Sequence, residues 1–272
     1  MRPSLRVSNL CVCLAVLATA AWAAGSKSMT AQDWLAAVPP LPATAEDAYA
    51  QWVDVSGSLR PGSAFEKVAD GIKAQSMALA RPTQSGAAAG GALSAHDQAL
   101  VASIAAFPDS AVVARNTQAA RTAQEALLQK WRAELATLEQ HRLLERSALP
   151  ACRNEAGAPS QLAIRAVELS YARQKLAVAK RYLSLFQPLV AQMKAAVTPR
   201  IQHADAAMAA WSQLHNAGAK TQLAATARNA QTDALQDVGA VQEFIEQISQ
   251  MAAKGVEEKN AMERVYALAQ GC

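Results

Sequence analysis

Residues 169–211 read "LSYARQKLAVAKRYLSLFQPLVAQMKAAVTPRIQHADAAMAAW". Along this stretch Leu169, Ala172, Leu176, Ala179, Leu183, Phe186, Val190, Met193, Val197, Ile201, Ala204, Met208 and Trp211 recur at alternating steps of three and four, with one break around Val197. That spacing gathers the side chains into one stripe on a helix and is the seam of a supercoiled bundle. Pro188 and Pro199 lie within the stretch, and a proline in a helix interior removes a donor at a cost of about 3 kcal/mol. The seam runs unbroken across both, which argues for kinks and against helix ends. Pro159-Ser160 supply an opening signal and Gly218 a stop, so the sequence predicts a helix over 160–216.

Working outward, residues 220–270 repeat the pattern through Leu223, Ala227, Ala230, Ala234, Val238, Val241, Ile245, Ile248 and Ala252, then Val256 and a Met262–Tyr266 face. Upstream, 109–149 contain neither proline nor glycine and space Ala120, Ala123, Leu127, Trp131, Leu135 and Leu138 by three or four. Long helices joined by short connections fold back as antiparallel neighbours. At 1.5 Å per residue the two longer ones reach roughly 75–85 Å. Residues 24–108 differ in character: short apolar segments alternate with breakers, and "TQSGAAAGGA", 83–92, reads as a flexible loop. Ser94 stands as an N-cap with Asp97 three residues later. Alanine-rich composition without alternating β-branched runs completes the fold class: all-α, an elongated antiparallel bundle of three long helices (109–149, 160–216, 220–270), with the shorter N-terminal helices packed as a broken fourth element. Trp34 and Trp52 either close the side of that bundle or, if exposed, mark an interaction surface.

The chain begins "MRPSLRVSNLCVCLAVLATAAWA": Arg2 and Arg6 precede an uncharged run, Leu10 to Ala23, that ends in the small-x-small pattern Ala21-Trp22-Ala23. This is the layout of a cleaved secretory signal over residues 1–23, and the run is shorter than the roughly 20 residues a membrane span needs. Removing it lowers the formal charge from +4 to +2, because it carries two arginines and no acid. Near neutrality, the remaining chain has no global attraction for nucleic acid. No later segment is apolar enough for stable membrane insertion, and the protein is expected to be periplasmic or secreted. In an oxidising compartment the two cysteines left, Cys152 in the loop after the first long helix and Cys272 at the end of the third, come to the same level of an antiparallel bundle. They are expected to form a disulfide closing about 120 residues, which the chain-entropy picture values at on the order of 4–5 kcal/mol.

Chemistry-bearing patterns are few. His141 and Glu145 share a helix face without a third ligand nearby, and "SAHD", Ser94–Asp97, is a cap whose three triad residue types occupy one turn and cannot act on one another as a triad. The sequence holds no phosphate loop, zinc signature or haem-attachment motif, so no cofactor, metal site or enzymatic activity is expected. "ATLEQ", Ala136–Gln140, is similar to the LTxxQ motif of small periplasmic stress-response helical proteins, but it is single, lacks the leading leucine and carries no function. Seven basic residues against two acids give the 160–216 helix a balance of +5, while 220–270 balances at −2. Arg173, Lys175, Lys180 and Arg181 therefore either present a face to an anionic partner or pair with the acids of the last helix, and their matching heights favour pairing. The expected function is a non-enzymatic structural or adaptor component of a bacterial-type cell envelope whose partner is another envelope protein. The alternative is a periplasmic protein binding a small ligand or metal near Pro188 and Pro199. In architecture alone the chain resembles the helical minor pilus subunits of type IV secretion systems.

Overall fold

The computed structural model describes residues 29–52, 63–80, 91–106, 110–152 and 159–269. Its helices are α1 (Ala31–Ala37), α2 (Ala45–Trp52), α3 (Ser63–Leu79), α4 (Ala95–Ala105), α5 (Ser110–Ser147), α6 (Gln161–Gln213) and α7 (Ala217–Ala267). Among the described residues the β structure is limited to an isolated bridge between Ala151 and Pro159. The expected signal peptide, residues 83–90 of the expected loop and Cys272 lie outside the described residues.

The direction of the long helices can be read from their ion pairs. Arg173–Glu263, Lys175–Glu258 and Arg200–Asp237 join α6 to α7, the first number rising as the second falls. Arg142–Glu168 and Arg181–Glu134 do the same for α5 and α6. All three are antiparallel neighbours in sequence order, with α6 in the middle. The seam forms as its period predicts: Leu169, Ala172, Leu176, Ala179, Leu183, Phe186, Val190, Met193, Val197, Ile201 and Ala204 are all buried, against Val238, Val241, Ile245, Ile248 and Ala252 of α7. The helix runs through Pro188 and Pro199 without ending. Each leaves a carbonyl without its helical donor, and nearby hydroxyls bond back to the same turns, Ser184 Oγ to Arg181 O and Thr198 Oγ1 to Lys194 O.

Two details depart from the expected pattern. After Ala204 the buried stripe moves to Ala207, Ala210 and Leu214, while Met208 and Trp211 are half-buried. The cause is α4: Ile104 packs on Ala207, Ala210 and Leu214, with Leu100 and Val101 beside it, so the end of α6 turns toward a third partner. The turn to α7 also comes earlier than Gly218. α6 ends at Gln213, and Asn216 caps α7 by accepting from Ala219 N at 2.9 Å, which leaves Gly218 inside the first turn of the new helix. An asparagine side chain satisfying an orphan N–H defines a helix start more strongly than a nearby glycine defines an end.

A second face of α6, Val178 and Tyr182, receives α5. Trp131 stacks on Tyr182 at 5.5 Å and tilts against Phe186 at 5.9 Å, and Phe186 meets Phe244 of α7 edge-on at 5.7 Å. This aromatic ladder crosses all three long helices, and each such pair is worth about 0.5–1.5 kcal/mol beyond its buried area.

The short helices form the broken fourth element and are tied by polar groups. Asp205 accepts Ala31 N and Gln32 N at 2.8 and 2.9 Å, capping α1 from the C-terminal part of α6. Gln187 donates to Pro42 O at 2.9 Å, and Gln242 donates to Phe65 O at 2.8 Å. Lys180 pairs with Glu46 at 2.6 Å. Trp34 and Trp52 are buried, so they close the core and mark no surface. Trp34 presses its ring against Gly71 of α3 and donates from Nε1 to Gln75 Oε1 at 2.6 Å, while Trp52 stacks on Phe65 at 5.8 Å.

Two glycines inside helices test this packing in opposite directions. A Cβ on Gly71 would fall within the Trp34 ring, whereas one on Gly239 of α7 would meet nothing within 4 Å. Gly239→Ala is expected to stabilise by about 0.5–1 kcal/mol through helix propensity, and Gly71→Ala to destabilise by roughly 1–3 kcal/mol through overpacking. Urea denaturation measures both; shifts of the same sign would refute the α1–α3 contact.

Candidate functional site

The densest array of perturbed ionisable groups lies where α5, α6 and α7 run together near the Cys152 end. Arg142 of α5 is largely buried and binds Glu139 on its own helix through two hydrogen bonds, one of them Nε to Oε2 at 3.0 Å. Its Nη1 donates to Glu168 Oε1 of α6 at 2.6 Å, and Arg146 reaches the same oxygen at 3.3 Å. The Tyr171 ring lies beneath the Arg142 guanidinium at 5.3 Å and the Lys175 ammonium at 5.4 Å. Lys175 in turn pairs with Glu258 of α7. A single tyrosine thus sits between two cations, with carboxylates from all three helices around it.

The electrostatics follow from those contacts. Hydrogen bonds from Arg142 and then Tyr171 hold the Glu139 carboxyl at about 2, well below its ordinary 4.5. Burial, reinforced by its hydrogen bond to Glu139, pushes the Tyr171 hydroxyl up to about 12. Carboxylates to which Glu139 and Glu168 contribute hold the Arg142 guanidinium charged. A carboxylate poised near 2 and a phenol near 12 are poor proton carriers at neutral pH. The arrangement suits a clamp that holds three helices in register.

Arg173, Lys175, Lys180 and Arg181 all face carboxylates. Their partners are Glu263 at 3.3 Å, Glu258, Glu46 at 2.6 Å and Glu134, on α7, α7, α2 and α5 respectively. The four cations therefore point toward three different helices. Cys152 is buried and disulfide-bonded, while its expected partner Cys272 lies outside the described residues. Near Pro188 and Pro199, Gln187 is committed to Pro42 O and Arg200 to Asp237, with Arg200 Nε to Oδ2 at 2.5 Å. Among the described residues no group of three or more His, Cys, Asp or Glu is arranged to hold a metal ion. His141 and Glu145 are exposed.

At the opposite end, Ser94 caps α4 as expected, its Oγ accepting Asp97 N at 3.0 Å. Asp97 itself is buried and does more than favour the helix start. It accepts His215 N at 3.0 Å, so the turn between α6 and α7 is pinned to α4 by one carboxylate. That backbone hydrogen bond, then the one from Ser94, lowers its pKa against the effect of burial. Asn216 Nδ2 adds a bond to Gly91 O at 3.0 Å.

Exposed apolar side chains are unevenly distributed. Of the eight large exposed hydrophobics among the described residues, five are Leu143 and Leu144 at the end of α5, Leu162 at the start of α6, and Tyr266 and Leu268 at the end of α7. All five stand at the Cys152 end of the antiparallel bundle. There too a groove of about 570 Å³ runs between α6 and α7, lined by Leu169, Ser170, Arg173, Glu263 and Tyr266 among others. No helix among the described residues is long and apolar enough to cross a membrane.

The clamp makes a pH-dependent prediction. Because the folded-state pKa of Glu139 is depressed, its contribution to stability is present above about 4.5 and lost as pH falls toward about 2. The stability gap between the wild type and Arg142→Met, measured by urea denaturation, is expected to be constant above pH 5 and to narrow between pH 5 and 2. A double-mutant cycle of Arg142→Met with Glu168→Gln is expected to give a coupling of about 1–3 kcal/mol at pH 7. In an ultraviolet titration Tyr171→Phe should remove the tyrosine that ionises near pH 12. No family model, curated protein or solved structure matches this chain.

Proposed function

We propose that the chain is an exported, non-enzymatic helical-bundle protein that serves as a structural or adaptor component of a bacterial-type cell envelope and binds another envelope protein at its Cys152 end. The observation that carries this reading is the gathering of Leu143, Leu144, Leu162, Tyr266 and Leu268 at that end. Exposed apolar side chains grouped in this way mark an interaction surface, whereas scattered ones need no explanation. Export is supported by the arginine-led apolar segment ending at Ala21-Trp22-Ala23. A non-catalytic role is supported by the acids around the clamp and the groove: Glu139, Glu168, Glu258 and Glu263 each hold a basic partner.

The reading includes a disulfide from Cys152 to Cys272. Its support is that Cys152 is buried and bonded, and that Ala269 lies with Gln161 around one pocket, which brings the end of α7 beside the start of α6. Such a bridge would hold the α7 terminus, and with it Tyr266 and Leu268, at the docking end.

Three measurements test the proposal. N-terminal sequencing of the protein recovered from the exported fraction is expected to begin at Ala24; a chain that stays in the cytoplasm with Met1 intact would sink the export step. A tryptic digest run without reductant should yield the Cys152–Cys272 cross-linked peptide. A photo-crosslinking residue placed at Leu144 or Leu268 should capture one protein in stoichiometric amount, while the same residue at Met77, exposed elsewhere, should not. With the photo-crosslinking residue moved to Leu143, Leu144→Asp with Leu268→Asp should abolish the capture without lowering the unfolding midpoint, because neither side chain is in the core. Equal capture at Leu144, Leu268 and Met77 would overturn the docking end.

A further inference from the structure

The packing of α4 against the α6–α7 turn brings together two histidines that stand far apart in the sequence. His96 is in the first turn of α4, and His215 lies in the connection between Gln213 and Ala217. Their imidazole centroids are 5.8 Å apart, with the ring planes 50° from one another. Both residues are exposed, and the His215 side chain keeps 81% of its surface in solvent.

The backbone beneath both rings is fixed. Asp97 accepts His215 N at 3.0 Å, and Ser94 Oγ accepts Asp97 N at 3.0 Å. Leu214, just before His215, is buried against Ile104 of α4, and Asn216, just after it, caps α7 and donates to Gly91 O at 3.0 Å. Only the side-chain torsions of the two histidines are left for a ligand to order, which lowers the cost of binding. Asp97 also faces one of the rings, its Oδ1 lying 4.0 Å from His215 Nδ1. A carboxylate on that side favours the tautomer protonated at Nδ1 and leaves the Nε2 lone pair for a metal, the usual relation behind metal-ligating histidines.

The spacing suits one shared ion. With a metal–nitrogen bond of about 2.0–2.1 Å, each ring centroid lies about 3.2 Å from the metal, so two rings about 90–130° apart around it have centroids roughly 4.5–6 Å from one another. The rings stand at the wide end of that span, and both are free to close. The surrounding charge narrows the kind of ion. The positive ends of α4 and α7 and the Lys220 ammonium, which reaches Leu214 O at 3.4 Å, oppose a cation, while the Asp97 carboxylate favours it. A hard ion attracted by charge alone gains little there, whereas an ion that bonds to imidazole nitrogen is held by the rings themselves.

From the approach of two imidazoles on fixed backbone we infer that His96 and His215 form a two-histidine site for Zn2+, with water completing the tetrahedron. Two protein ligands are fewer than the three or four of permanent zinc centres, so the ion exchanges with solution. When bound, it adds a second tie between α4 and the α6–α7 turn, beside Asp97. The site is at the end of the bundle away from Cys152 and does not rest on the envelope proposal.

The test uses the mature chain with 15N-labelled imidazoles, whose four histidines are His96, His141, His203 and His215. ZnCl2 is titrated with MgCl2 as the control, and the His96 and His215 resonances are identified by their loss in His96→Gln and His215→Gln. Saturable shifts of these two rings at one Zn2+ per chain are expected, with a Kd below about 0.1 mM and no response to Mg2+. Each variant should bind Zn2+ at least tenfold more weakly, whereas His141→Gln should bind as the wild type does. Zinc should raise the urea midpoint of the wild type and leave that of His96→Gln unchanged, because a ligand that binds the folded arrangement stabilises it. Both histidines are exposed, so the midpoints of the variants without metal serve as the check that they are folded. The site would be overturned by no saturable shift up to about 1 mM Zn2+, by an unchanged affinity in either variant, or by equal responses from all four rings.

Discussion

The seam between α6 and α7 is the constraint from which the other arrangements follow. Phe186, Val197, Ile201, Val238, Ile245 and Ile248 are at most 1% exposed along it, interleaved with alanines such as Ala204, Ala227 and Ala234 that bring the helix axes close. Burying such a stripe is what makes helices of 53 and 51 residues stable, because propensity alone is marginal in water. Once α6 has committed one face to α7, a second face, Val178 and Tyr182, remains for α5. The chain can supply α5 there only as an antiparallel neighbour, because the connection from Ser147 to Gln161 is short.

An alanine-rich seam has a cost for everything that packs beside it. Small side chains bury little area, so the short helices α1 to α4 cannot be oriented by hydrophobic contact alone. Carboxylates and amides supply the orientation instead: on the long helices Asp205 caps α1, Gln187 fixes the turn before α2 and Gln242 fixes the start of α3, and from α4 itself Asp97 reaches the α6–α7 turn. Each bond contributes only about 1 kcal/mol net, but an unmade one would leave a desolvated group behind. Such ties therefore specify position more than they add stability. Buried polar residues of α7 take part in these ties: Gln242 holds Phe65 O, Gln231 donates to Asp205, which caps α1, and Asp237 pairs with Arg200 of α6.

This division explains what the sequence could disclose. Period is a property of one helix, so the seam from Leu169 to Ala204, the matching run in α7 and the cap at Ser94 were legible from residue order. The slip to Ala207 and Ala210 was not, since it depends on Ile104, about a hundred residues earlier, coming to rest there. Phe244 and Tyr182 stand outside the three–four pattern and are buried because other helices supply aromatic partners. The clamp around Tyr171 was hidden for the same reason. Glu139 and Arg142 show only an i, i+3 pair, an ordinary surface motif, until Glu168 and Tyr171 arrive from the next helix. The four basic residues were visible as a face, but pairing drew their charges toward three separate helices.

The two ends of the bundle then differ for a structural reason. At the lower end α4 covers the α6–α7 turn, Ile104 fills its apolar side and Asp97 satisfies its backbone. Toward the Cys152 end the ties from the short helices reach, among the described residues, as far as Lys180, where Glu46 at the start of α2 meets it. Beyond that level α6 continues for about five turns and α7 for about four, with α5 on one side and a groove on the other. Arg142–Glu168, Lys175–Glu258 and Arg173–Glu263 pair within the bundle there, while five large apolar side chains among the described residues are left in water. A chain whose short helices merely completed a core would gain more by covering that end than by covering the turn. In the proposed docking, an apolar end at which Arg142, Lys175 and Arg173 already hold carboxylates would keep the desolvation cost low and leave the hydrophobic gain for the partner.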